Sequence, residues 1–212
     1  MYRLDEKGRV ALDFYKNNIL VFFVPAAVVS AAVRATLEES GGDTAPVEEV
    51  PRWARRISQL LKNEVSFRVG STFEENFEEA SALLLARGSL ERTSAGYRAP
   101  PGDEELRELA GLLAVFFESY RLMGEVLEEL DHGPLGERRI LDAALTSARR
   151  KALDGRMERA EAASQPTLRQ ALSVYLAEGA VVRGEGGTLE TGDPDARVRL
   201  LAELDTLLRA QA

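Results

Sequence analysis

The sequence predicts a mainly α fold, a helical bundle with two short β-hairpins arranged as winged-helix-like repeat units. Apolar residues recur at helical spacing over most of the chain. Two stretches, LLARGSLERTSAGYRAPPGD and YLAEGAVVRGEGGTLETGDPD, read alike as helix, glycine stop, hairpin and helix when Gly88 is set against Gly179. With 212 residues, 45% hydrophobic and 29% charged, the chain can bury a core in one domain or two small ones. The expected organisation is an N-terminal helical hairpin with an apolar run over 1–50, a first winged-helix-like unit over 51–133, and connecting helices with a second such unit over 134–212.

Residues 2–11 read as the end of a strand or a loop. Leu12 to Val24 reads as a helix, although the adjacent Asn17 and Asn18 each cost up to about 0.7 kcal/mol relative to alanine. Pro25 has no amide to give the Val21 carbonyl, so the helix kinks there or restarts. Pro25 to Glu39 forms a second helical stretch, ended by Ser40-Gly41-Gly42, and a polar loop follows to Val50. Pro51 starts a helix with Trp53, Ile57, Leu60, Leu61 and Val65 on its apolar side. Arg52, Arg55 and Arg56 sit at its head, as a solvated face or as contacts for an acidic partner or lipid phosphate.

Thr72-Phe73-Glu74-Glu75 is a capping box opening a helix that ends at Gly88. SLERTSAGYRA is a hairpin turning at Ser94-Ala95-Gly96. One long helix then carries Leu106, Leu109, Leu112, Leu113, Phe116, Phe117 and Tyr120 as far as about Leu130. Leu135 to Ala163 reads as one or two charged helices, with 154–165 as a flexible connection. Pro166-Thr167 starts a helix stopped by Gly179, a hairpin turns at Gly186-Gly187, and a final helix covers Asp195 to Arg209.

A net charge of −8 opposes a broad grip on nucleic acid, and the helix FEENFEEASALLLAR before the first hairpin has an acidic polar face that phosphate would repel. No cysteine and one histidine, His132, argue against a metal centre or a Ser-His-Asp triad, so no catalytic or metal-binding residue is assigned. Glu137 follows His132 by five positions, as in a His-x4-Asp acyl-transfer pair, but a surface-loop histidine is the better reading. GEGG at 184–187 lacks the helix a phosphate loop needs, and no cofactor is expected. Met1 is followed by charged residues rather than a signal peptide. The apolar run Ile19–Val33 falls short of the roughly 20 residues of a membrane span, which favours a core helix over an interfacial one.

The block Tyr15-Lys16-Asn17-Asn18, running into an apolar stretch with an internal proline, resembles the start of the C-terminal region of bacterial membrane-associated glycerol-3-phosphate acyltransferases and their dihydroxyacetone-phosphate relatives. LLKNEVSFR at 60–68, ALLLARGSLER at 82–92 and LAGLLAVFFESYRLM at 109–123 are similar to later parts of the same region. The resemblance covers nearly the whole chain, and only the Tyr-Lys-Asn-Asn block is specific.

The resemblance implies a part in acyl transfer from acyl-CoA or acyl-carrier protein to the 1-hydroxyl of glycerol 3-phosphate, in phospholipid biosynthesis. The family's His-x4-Asp and Phe-Pro-Glu-Gly blocks lie upstream of the asparagines and are not in this sequence. The chain is therefore expected to be a C-terminal helical domain or fragment, inactive alone, which docks on the catalytic domain at the cytoplasmic face of the bacterial inner membrane. Tyr15, Lys16, Asn17 and Asn18 are expected at the domain junction. Phe22, Phe23, Arg52, Arg55 and Arg56 are expected to face the partner or an anionic membrane surface. A non-enzymatic winged-helix-like interaction scaffold, or a membrane module with no enzymatic parent, are the other readings.

Overall fold

The computed structural model describes residues 6–65, 70–102, 104–157 and 159–211, with side chains from Phe22 onward except at 160 and 161. Among these, eight α-helices and two three-stranded antiparallel sheets make the mainly α fold that the sequence predicts. The chain divides into two units, Met1–Thr36 with Asp43–Ala110 and Leu37–Gly42 with Gly111–Ala212.

Helix α1 spans Glu6–Ser40 and runs through Pro25, so of the kink or restart expected there the restart does not occur, and residues 6–11 are helical rather than strand or loop. Every residue from Ala26 to Val33 is buried, as are Val24, Ala35 and Thr36. The core expectation for the apolar run thus holds from Val24 onward. A proline inside a helix costs about 3 kcal/mol, and burial of Val24, Val28, Val29 and Val33 at about 1.5–3 kcal/mol each offsets it.

The polar loop expected over 41–50 contains strand β1, Ala45–Pro46. Helix α2, Glu49–Leu60, follows, starting two residues before Pro51 and ending before Val65. Helix α3, Phe73–Arg87, has the predicted capping box. The Thr72 amide donates to Glu75 Oε2 at 2.8 Å, and the Glu75 amide donates to Thr72 Oγ1 at 3.2 Å. Gly88 ends it at φ +73°, a left-handed conformation that glycine adopts without a Cβ penalty. Strands β2, Glu91–Arg92, and β3, Gly96–Arg98, form the predicted hairpin, and β1 pairs with the far side of β3, Ala45 opposite Tyr97 and Pro46 opposite Gly96. A Cβ on Gly96 would fall under 3.0 Å from the Ala45 carbonyl, so glycine is what allows this pairing. Helix α4, Glu104–Gly111, closes the series.

The long helix expected through Leu130 is broken. After α4, the chain resumes a helix only at α5, Ala114–Val126, followed by a 3₁₀ turn, Leu127–His132. Gly111, with its high backbone entropy, stands at the break. Strand β4, Leu135–Gly136, precedes α6, Glu137–Leu153. Helix α7, Gln165–Ala177, is capped by the Ser164 hydroxyl, which accepts from the Thr167 amide at 3.2 Å. Strands β5, Val181–Arg183, and β6, Thr188–Thr191, lead to α8, Pro194–Arg209. Within the stretch 154–165, expected to be a flexible connection, Arg159 and Ala162 are held by contacts. Ala162 is fully buried, its carbonyl accepts from Ser119 Oγ at 2.7 Å, and Arg159 Nη1 pairs with Glu118 at 2.9 Å.

Both units therefore repeat one series: helix, strand, two helices, hairpin, helix. Their sheets share one strand order, β1-β3-β2 and β4-β6-β5, the first strand lying against the third. In the second unit α5 packs against α6, α7 and α8. Its Phe117, Tyr120 and Met123 are fully buried, and the Tyr175 hydroxyl donates to the Tyr120 carbonyl at 3.0 Å. Burial pushes the Tyr175 phenol up, so it stays neutral and keeps that donor.

A Cβ on Gly124 would fall under 3.0 Å from both Tyr175 and Leu201. Gly124→Ala is expected to lower stability by about 1–3 kcal/mol in chemical denaturation, because overpacking outweighs the gain in helix propensity. Arg197 binds Asp131 through Nη2 at 2.6 Å and the Leu127 carbonyl through Nη1 at 3.0 Å, tying α8 to the 3₁₀ turn. The guanidinium holds the Asp131 carboxyl below its ordinary range. With the folded value depressed, the stabilisation is present above the unfolded carboxylate pKa of about 3.9 and is lost as pH falls through the folded value. The melting temperature should drop on acidification below about pH 4, less steeply in Asp131→Asn.

Candidate functional site

In the first unit, α1, α2 and α3 enclose a groove of about 380 Å³. Its floor is Pro25, Val28 and Val29 of α1, and Phe73 and Phe77 of α3 form a wall, their rings stacked at 5.9 Å and 24°. Helix α2 contributes Arg55, Ser58 and Gln59, which fall at i, i+3 and i+4 and so share one face, and the turn that follows the helix adds Lys62. The lining is mostly apolar with a few polar groups at the edge, the composition of a small-molecule or chain-binding cleft.

No carboxylate lines the groove among the described residues, whereas two cations do. Arg55 lies 4.8 Å from the Phe73 ring centroid and pairs with Glu74 at 2.9 Å, just outside the lining. That hydrogen bond holds the Glu74 carboxyl below its usual range. The pair is exposed and contributes little to stability, so an anion at the rim can compete for Arg55 at small cost.

Phe22, Pro25 and Val29 stand at i, i+3 and i+7 on α1, so the face that floors the groove continues toward the helix start. There it emerges: Phe22 is 83% and Phe23 43% exposed. Positions 15 and 18 fall at the same register, one and two turns further back. The backbone of α1 carries Tyr15, Lys16, Asn17 and Asn18 in this helix, and their side chains lie outside the described residues.

This helix belongs to the part of the chain that comparison with known families picks out. The family described as the glycerol-3-phosphate acyltransferase C-terminal region matches residues 1–184. The chain belongs to that family. Comparison with curated proteins finds no match.

Of Arg52, Arg55 and Arg56 in this acyltransferase C-terminal region, Arg55 lines the groove. Arg52 turns to Glu49 at 2.6 Å and lies 5.3 Å from the Trp53 ring, and Arg56 is half-buried. Lys62, Ser58, Phe73 and Phe77 were not assigned to a site from the sequence, although the spacing of Arg55, Ser58 and Gln59 on one helix face was there to find. His132 is exposed at the end of the 3₁₀ turn, and Glu137 is engaged by Arg183 at 3.0 Å. Among the described residues no cluster of three or more His, Cys, Asp or Glu is placed to hold a metal ion, and no helix is long and apolar enough to cross a membrane.

The exposure boundary between Phe23 and Val24 predicts opposite responses from neighbouring turns of one helix. Phe22→Ser should leave unfolding free energy within about 0.5 kcal/mol of the parent. Val29→Ala, at a buried position, should cost about 2 kcal/mol in the same denaturation experiment.

Proposed function

We propose that this chain serves as the C-terminal helical domain of a glycerol-3-phosphate 1-O-acyltransferase of phospholipid biosynthesis, using acyl-CoA or acyl-carrier protein, and that it docks on the catalytic domain and seats it peripherally on the cytoplasmic face of the bacterial inner membrane. The observation that carries this reading is the end of burial on α1. The helix bearing the Tyr15-Lys16-Asn17-Asn18 block presents Phe22 and Phe23 to solvent directly beside a groove rimmed by Arg55 and Lys62. Exposed aromatic side chains next to cations are what a helix needs to enter the headgroup layer of an anionic membrane.

The asparagines fit the other half of the role. Two polar residues that weaken a helix are retained where hydrogen bonds to another surface offset the cost, and the catalytic domain supplies such a surface. The chain carries no His-x4-Asp block, so acyl transfer is the catalytic domain's work. Acyl transfer to glycerol 3-phosphate should be undetectable with this chain alone, and robust turnover would overturn the assignment of roles.

Vesicle co-sedimentation tests the membrane part. Binding to vesicles containing phosphatidylglycerol should exceed binding to pure phosphatidylcholine and weaken as salt rises, because the charges that attract are exposed. Phe22→Ser with Phe23→Ser should reduce it several-fold, while Glu74→Gln, which frees Arg55, should increase it. Equal binding by the double serine variant would sink the membrane-facing role of α1.

A further inference from the structure

We propose that the groove of the first unit takes up one acyl chain of an anionic phospholipid, with the lipid phosphate held at the rim by Lys62 and Arg55. The inference rests on the membrane-seating reading and adds a defined lipid site to it. Adsorption to a surface needs only exposed apolar and basic groups. Here there is also a cleft, floored by Pro25, Val28 and Val29, walled by the stacked Phe73 and Phe77, and opening beside the exposed Phe22.

The groove's volume of about 380 Å³ falls within the range of small-molecule clefts, and its mostly apolar floor and wall suit an acyl chain lying along them.

Charge favours an anionic headgroup. Among the described residues the lining has Arg55 and Lys62 and no acid, and Ser58, Gln59, Ser71 and Asn76 are its other polar residues. Arg55 is held by an exposed carboxylate from which a phosphate can draw it with little loss. A zwitterionic headgroup would bring its own cation to this rim and gain less.

Dihexanoylphosphatidylglycerol, kept below the concentration at which it forms micelles, separates this site from membrane adsorption. Isothermal titration should show it binding, dihexanoylphosphatidylcholine binding about tenfold more weakly, and inorganic phosphate not binding. Decanoate reports on the chain without the phosphate and should bind more weakly than the phosphatidylglycerol analogue. Lys62→Glu, at an exposed position, should lower affinity about tenfold, and Ser58→Trp, which fills the groove, should abolish binding with the circular dichroism spectrum unchanged. Undiminished binding by Ser58→Trp, or equal affinity for the two phospholipids, would overturn the inference. Binding to phosphatidylglycerol vesicles without binding of the monomeric lipid would overturn the lipid site and leave the membrane-seating reading standing; failure of both would overturn both. If Ser58→Trp instead blocked association with the catalytic domain and left lipid binding intact, the groove would belong to a protein helix.

Discussion

Between Ala26 and Val33, helix α1 buries every side chain it carries, whichever way it points, so the first unit has to be assembled around this helix rather than beside it. The composition of the segment follows from that constraint. Ala27, Ala31 and Ala32 let neighbouring elements approach closely, and the valines between them fill the remaining space. The proline that would end a solvent-exposed helix is carried because the turns after it are buried. Helix α5 has the same position in the second unit and meets it differently, with large side chains at Phe117, Tyr120 and Met123 and a glycine at 124 where Tyr175 crosses.

Much of this architecture could be read directly from the residues. The capping box at Thr72, the glycine stops at 88 and 179 and both hairpins are signalled by local chemistry that needs no tertiary context. What escaped was set by contacts distant in sequence. Strands β1 and β4 have two residues each, too short for any alternation to register, and exist because each closes against the last strand of its own sheet. Leu112 and Leu113 continue the apolar spacing of the helix around them, so periodicity runs straight across a break that the backbone makes at Gly111. The segment around Ala162 is poor in apolar residues, yet one alanine and one carbonyl suffice to fix it against Ser119.

The candidate site divides along the same line. Phe22 and Arg55 were visible as an exposed aromatic and a basic residue at helix ends, and the Tyr15-Lys16-Asn17-Asn18 block pointed to the right family. The groove itself was invisible, because its lining comes from three helices and the turns beside them, separated in sequence. A sequence with Phe22 at the edge of the apolar run gives no sign that burial stops one residue before Val24. That abrupt boundary divides the described side chains of α1 into a buried stretch from Val24 onward and an exposed pair at Phe22 and Phe23.

The second unit takes in residues 37–42 as well as 111–212. Within it Arg209, at the end of α8, bonds to Glu38 at 2.9 Å across 171 positions of sequence. The exposed ion pair contributes little energy by itself, but the topology it marks has a kinetic consequence. This unit is drawn from two separated pieces of chain, and its closing contact must wait until the last helix has left the ribosome. Its first piece is made early and must await that contact, a high-contact-order arrangement that slows completion of the fold. Cutting the chain at Gly111 would therefore not release an intact second unit, because residues 37–42 would stay covalently in the N-terminal piece.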